Sequence, residues 1–225
     1  MAEEQNLKHV LRNADQLYDE VHYQEVYELL QKFPDQTLPE IKWRQARVLY
    51  SMANASTNKE EMQDKIRKAY ELILAALEGD DKNFAIHKWM AIILDANAEL
   101  DGIKARVSQL NNVKDHMLKA IELNPQDPTC WHILGKFEYN LADLSWMQRK
   151  IVTAIFARPP TGSYEQALEY LERAEEQKPG FYSMNWLMIG KCYIALNKKE
   201  DAKKFVEKAA NCRIVSEDDK KCKEE

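Results

Sequence analysis

Residues 186–193 read Trp186-Leu187-Met188-Ile189-Gly190-Lys191-Cys192-Tyr193. On a helix of about 3.6 residues per turn, Trp186, Ile189, Gly190 and Tyr193 form one continuous face. A glycine inside that face costs roughly 1 kcal/mol of helix propensity relative to alanine, so its presence needs a packing reason. Further along, Ala202, Val206 and Ala209 keep the same spacing on what reads as a second helix. Gly190 and Ala202 are small enough to let the two helices approach closely, while Trp186 and Tyr193 fill the space between neighbouring hairpins.

The pattern recurs upstream. Trp131, Leu134 and Gly135 open another helix pair, whose second member carries Ala167, Leu171, Ala174 and then Pro179. Trp131 and Ala167 lie 36 residues apart, against 16 for Trp186 and Ala202. The extra stretch holds Leu141, Leu144, Ile151, Ile155 and Phe156 at helical spacing before Pro159-Pro160. It predicts one long first helix, with Tyr139 and Asn140 on its groove side, stopped by the prolines. Ser163 with Gln166 forms a capping-box pattern for the second helix. Earlier still, His87, Met90, Ala91 and Leu94 pair with a helix from about Val113 to Ala120, closed by Pro125. Trp43, Ala46 and Tyr50 pair with Ala69, Ile73 and Ala76, with Thr57 and Glu60 as a capping box. Val10, Ala14 and Leu17 pair with Val26, Leu30 and Phe33 ahead of Pro34.

Aromatic, Leu, Gly and Tyr at this spacing, followed by Ala and a later Pro, form the tetratricopeptide (TPR) signature. The expected fold is all-α, a degenerate TPR-like array of about five antiparallel helical hairpins in a compact right-handed superhelix with a concave groove. No hairpin buries its apolar face alone, so the hairpins stack. A single domain of residues 1–212 is expected, with hairpins near 7–34, 38–79, 83–125, 127–179 and 182–212. The charged tail 213–225 has no apolar pattern and reads as frayed helix or disorder.

Composition agrees. Of 225 residues 45% are hydrophobic and 31% charged, and six glycines and seven prolines are too few for a hairpin-rich β fold. No apolar run approaches the roughly 20 residues that span a bilayer, and Met1-Ala2-Glu3-Glu4 lacks a signal-peptide pattern, so a soluble cytoplasmic protein is expected. Cys130, Cys192, Cys212 and Cys222 form no close pair and read as reduced, buried thiols. The net charge of −5 argues against general nucleic-acid binding. It is uneven: residues 1–40 hold three basic and nine acidic side chains, leaving the rest near neutral.

Nothing in the sequence encodes catalysis. The histidines, His9, His22, His87, His116 and His132, form no metal-ligand pair, and no phosphate loop, dinucleotide fingerprint or nucleophile elbow is present. In Cys130-Trp131-His132 the thiol and imidazole diverge around the helix, giving a core cysteine and a groove histidine. The expectation is a binding protein: not an enzyme, with no cofactor and no metal.

In hairpins of this type, first-helix residues one and five places after the Trp-equivalent position project into the groove. Here these are Arg44, Lys88, His132 and Leu187, then Val48, Ile92, Lys136 and Lys191, with Tyr139 and Asn140 beside them. Arg44, Lys88, Lys136 and Lys191 would form a row of cations suited to an acidic peptide or an anionic lipid head group, because converging charges in a cleft focus the field. The lysine-rich last helix (Lys198, Lys199, Lys203, Lys204, Lys208) is offset by Glu200, Asp201 and Glu207 and reads as a solvated face.

Several short motifs add a resemblance. His87-Lys88-Trp89, Leu144-Ser145-Trp146, Lys178-Pro179-Gly180-Phe181, Lys191-Cys192-Tyr193 and the Trp43-Arg44 start occur in order inside the hairpins. Over roughly residues 40–212 the chain resembles the regulators of microtubule dynamics. That resemblance implies association with tubulin and microtubules, a place on the cytoskeleton at spindles and spindle poles, and a role in chromosome segregation. Some relatives carry a membrane anchor and act at organelle contacts; this chain reads as a soluble, short member. Acidic tubulin tails would be the ligand of a groove made by Arg44, Lys88, His132, Lys136, Tyr139, Asn140 and Lys191. The alternatives are a lipid-binding module with Ile92, Leu187 and Ile194 lining an apolar tunnel, and a general TPR peptide adaptor, whose clamp asparagines this groove lacks.

Overall fold

The computed structural model describes residues 2–156 and 159–225, and every regular element among them is a helix. The elements start where the chemistry of helix ends dictates. Pro39 and Pro128 occupy first-turn positions, where a missing N–H costs nothing. Asn58, Asn83, Asp127 and Ser163 accept hydrogen bonds from the first free N–H groups of their helices. Asn58 is the cap where the sequence pointed to Thr57, and it serves two N–H groups, those of Glu60 and Glu61.

The chain divides into two compact units, Met1–Leu123 and Asn124–Glu225, where the sequence pointed to a single domain ending at 212. In the first unit α1 (Ala2–Asp19) pairs with α2 (Tyr23–Gln31), and α3 (Pro39–Ala55) with α4 (Lys59–Gly79). Next, α5 (Phe84–Leu100) pairs with α7 (Leu110–Leu123), and the short α6 (Ile103–Ser108) fills the connection. Gly102, at φ +92°, turns the chain from α5 into α6. Ala14, Val26, Leu30, Ile41 and Val48 form one buried cluster, fully removed from solvent.

In the second unit α8 (Pro128–Ala142) pairs with α10 (Tyr164–Gln177), and α11 (Ser183–Ala195) with α12 (Lys199–Ala210). Small residues set the closeness of both pairs. A Cβ on Gly135 would lie 2.6 Å from Leu171 Cγ and 3.1 Å from the Ala167 carbonyl. One on Gly190 would lie 2.8 Å from Val206 Cγ2. Ala167, Leu171, Ile189 and Cys192 share one buried cluster.

Two segments depart from the sequence reading. The first helix of the α8 hairpin is not long: it ends at Ala142, and a separate helix, α9 (Trp146–Ile155), follows. Ser145 restarts the chain with a full capping box to Gln148, and Asp143 leaves the helical path to accept a hydrogen bond from Tyr164 Oη at 2.9 Å. The returning chain also occupies the end of α8. A Cβ on Gly162 would sit 2.2 Å from the Glu138 carbonyl and 2.7 Å from Leu141 Cβ. The part of the expected long helix at residues 157 and 158 lies outside the described residues.

The second departure is the tail, which forms α13 (Glu217–Glu224). It runs parallel to α11: Tyr182 Oη donates to Asp218 at 2.7 Å, Ser183 Oγ donates to Asp219 at 2.6 Å, and Lys191 pairs with Glu225. These partners lie 36, 36 and 34 residues apart, about one repeat length, so α13 stands where a further first helix would begin. Cys222, 3% exposed, packs with Leu187 and Ala209. Burial alone would raise the Asp219 carboxyl, but hydrogen bonds from Ser183, the Val215 N–H and Ser216 hold it down at about 2.

His132, expected in the groove, is a core residue instead. Only 6% exposed, it donates from Nδ1 to Asn185 Oδ1 at 2.9 Å, and Asn185 Nδ2 donates to the Leu171 carbonyl at 3.0 Å. This chain of bonds ties α8, α11 and α10 together. The Tyr182 ring packs edge-on against the imidazole at 5.0 Å. Burial pushes the imidazole down to about 4, so it is neutral at pH 7.

Two outcomes are expected. Gly135→Ala should gain about 1 kcal/mol of helix propensity and lose roughly 1–3 kcal/mol by overpacking Leu171, lowering the urea-unfolding free energy. A neutral or stabilised variant would contradict the close contact. For His132, the folded value lies below the unfolded value of about 6.5, so the unfolded chain binds more protons between the two. Stability should therefore fall by about 3 kcal/mol as pH drops from about 6.5 to about 4. His116, lowered first by burial and then by His87, adds a drop of the same sign. His132→Gln should flatten the pH profile measured by urea unfolding; an unchanged slope would count against a buried neutral imidazole.

Candidate functional site

In the first unit the positions expected to face a groove lie on α3 and α5. Arg44 reaches α1, donating from Nε and Nη2 to Asp15 at 3.0 and 2.7 Å, and it also pairs with Glu40. It is 9% exposed and lies over the Trp43 ring at 4.1 Å. Arg47 donates to the same Asp15 at 2.6 Å and stacks on Tyr18 at 3.8 Å. Burial would raise the Asp15 carboxyl, but the two guanidiniums hold it below the ordinary range. Arg44 is thus committed to an internal clamp between α1 and α3. Val48 is fully buried. Lys88 is half-buried on α5, with Nζ 5.3 Å from the Phe84 ring centre.

In the second unit, α8 carries His132, Lys136, Tyr139 and Asn140 on consecutive turns. His132 belongs to the core network. Lys136 is exposed and, among the described residues, has no hydrogen bond or ion pair. Asn140, one turn further, is exposed as well. Tyr139 is half-buried against Tyr164 at 5.4 Å, and burial, then Asp143, pushes its phenol up to about 12. On α11, Lys191 is half-buried and paired with Glu225. Lys136, Tyr139 and Asn140 therefore form the open part of the expected site, with Lys191 held by the last residue of the chain.

The two expected lipid-tunnel residues of the second unit differ in exposure. Leu187 is buried beneath α13, whereas Ile194 is 60% exposed. Among the described residues, no group of three or more His, Cys, Asp or Glu side chains could hold a metal ion. Among the described residues the four cysteines are buried and form no disulfide. Among the described residues, no helix is long and apolar enough to cross a membrane. His87 and His116, which the sequence shows only as forming no metal-ligand pair, share an Nδ1–Nδ1 hydrogen bond of 2.9 Å.

Three features escaped the sequence reading. Asp15 and Arg47 complete the clamp, but Asp15 lies 29 residues before Arg44 with no local signal to join them. Val21, a β-branched residue at φ +66°, edges an open cleft of about 500 Å³ shared with Tyr23, Met52 and Lys65. Trp146 and Met147, read as part of a long helix, stand 70% and 68% exposed at the start of α9.

Comparison with known proteins bears on this arrangement. The family model described as regulator of microtubule dynamics protein 1-3 matches residues 10–225, including α13 and extending beyond the 40–212 carried by the motifs. Regulator of microtubule dynamics protein 1 of Pongo abelii is 38% identical over 220 residues, covering 97% of this chain and 70% of the relative. Regulator of microtubule dynamics protein 2 of Bos taurus is 31% identical, covering 99% of this chain and 55% of the relative. Among solved structures, a thermophilic TPR protein of Thermus thermophilus superposes with a TM-score of 0.62 over 89% of this chain and 88% of its own, at 12% identity. The structural likeness establishes an all-α, TPR-like array, and with the family model matched across both units the chain belongs to the family of regulators of microtubule dynamics.

Proposed function

We propose that this chain is a non-enzymatic microtubule-associated protein that binds the acidic tails of tubulin through first-helix cations. Membership in the family supports the microtubule role. The observation that carries the acidic-ligand reading is the outer face of α8. There Lys136 and Asn140 stand exposed one turn apart beside Tyr139, offering an ammonium and an amide without internal partners among the described residues. Within the first unit, Lys88 of α5 is the first-helix cation that belongs to the same reading. Arg44 and His132 act from behind, the first fixing α3 against α1 and the second fixing α8 against α11. Lys191 can join when a ligand carboxylate takes the place of Glu225, since both offer the same group. A position on spindle microtubules and at spindle poles, and a part in chromosome segregation, belong to the same reading.

An acidic, extended tail is well matched to such a surface, because exposed ammonium groups attract carboxylates at long range and demand little shape complementarity. The interaction should therefore be fast, weak per contact and sensitive to salt. Lys88→Glu combined with Lys136→Glu should reduce co-sedimentation with polymerised tubulin at least about tenfold at low ionic strength. Helicity should be unchanged, because Lys136 is exposed and Lys88 is only half-buried. Wild-type pelleting by a folded double variant would contradict the assignment of these lysines.

A further inference from the structure

The segment between α8 and α10 carries a helix that its hairpin does not require. Of the ten residues of α9, Val152 alone is buried, at 2% exposure. Trp146 and Met147 lie side by side at its start, 70% and 68% exposed. The start is fixed, since Ser145 N–H donates to Gln148 Oε1 at 2.9 Å and Gln148 N–H donates to Ser145 Oγ at 3.3 Å. The apolar pair is therefore displayed on a capped helix and not on a loose loop.

Charge accompanies it. Lys150 lies one turn after Trp146, its Nζ 3.8 Å from the indole ring centre. Arg149 is exposed, and its guanidinium makes a long 3.4 Å hydrogen bond to the Ala142 carbonyl. Neither cation has an ion pair among the described residues, and no acidic residue occurs between Asp143 and Glu165. In a chain with 37 acidic side chains and a net charge of −5, this is a locally basic, acid-free surface with two large apolar side chains at its centre.

We propose that α9 is a docking surface for an acidic protein surface, with Trp146 and Met147 as apolar anchors and Arg149 and Lys150 as carboxylate partners. The proposal rests on the reading of the chain as a microtubule-binding protein, and on that reading the occupant is the acidic exterior of the microtubule. Trp, Met and Arg are the residue types enriched at protein interfaces, and Trp and Arg dominate binding energy there. A bilayer fits less well. One face of the indole already carries the Lys150 ammonium, which would have to be stripped away or drawn towards hydrocarbon as the ring entered. An acidic protein surface accepts both at once, with a carboxylate on the ammonium and an apolar patch on the free ring face and the Met147 thioether.

The test uses the intact chain and two double variants, Trp146→Ala with Met147→Ser and Arg149→Glu with Lys150→Glu. All four side chains are exposed, so circular dichroism and melting temperature should match wild type. Affinity for polymerised tubulin, measured by co-sedimentation, should fall at least about tenfold in each variant. Pelleting of both variants at wild-type affinity would overturn the α9 assignment and leave the microtubule reading standing. Absence of pelleting by the wild type itself would overturn both. Flotation of the wild type with phosphatidylserine–phosphatidylcholine vesicles, lost in both variants while tubulin binding is retained, would also overturn it by making a bilayer the occupant.

Discussion

The closeness of the helix pairs in the second unit is set by side chains that are not there. At Gly135 and Gly190 the first helix approaches until even one added carbon would meet Leu171 or Val206 at under 3 Å. Close approach fixes the rotation of each first helix about its axis, and rotation decides which residues are buried and which are offered to a partner. On α8 it buries His132, Leu134 and Leu141 and leaves Lys136 and Asn140 outward. On α11 it turns Asn185 inward to receive His132, and Lys191 towards α13. The outward placing of Lys136 is thus a consequence of packing at the adjacent Gly135.

Formal charge and available charge then diverge. Arg44 and Arg47 converge on one carboxylate, Asp15, where both guanidiniums are largely buried and stacked on Trp43 and Tyr18. The guanidiniums are buried while the Asp15 carboxylate is partly exposed, so the cluster is a part of the fold that links α1 to α3. Exposed pairs such as that of Lys203 with Glu207 contribute roughly 0–1 kcal/mol and constrain little. Exposed cations without an ion pair among the described residues include Lys136 on α8 and the Arg149–Lys150 pair on α9. A protein with a net negative charge can still present basic surfaces when its acids are confined elsewhere, and residues 1–40 and 217–225 hold many of them.

Much of the fold was legible because its signals are local. Trp186 to Tyr193 and Gly135 with Ala167 announce hairpins through size and spacing alone. Ser163 before Tyr164 is a cap that acts within one turn. The long-helix expectation failed because Leu141, Leu144, Ile151 and Ile155 keep helical spacing across a break. Period alone does not register that Asp143 is drawn to Tyr164 and that Gly162 returns over the end of α8. The tail was missed because its order comes from partners one repeat earlier, Tyr182, Ser183 and Lys191, and not from an apolar pattern of its own. Among the site residues, charge was readable and burial was not. Nothing adjacent to Arg44 or His132 reveals that Asp15 and Asn185 will meet them.

Family membership and geometry meet in one claim, that cations on first helices and on α9 engage the acidic exterior of the microtubule. The most direct test is co-sedimentation of the intact chain with microtubules before and after their acidic tails are removed by limited proteolysis, at several salt concentrations. The account predicts pelleting at low salt that weakens steadily as screening shortens towards about 8 Å at physiological ionic strength, and a large loss on tail-free microtubules. Equal, salt-insensitive pelleting on both kinds of microtubule would contradict it.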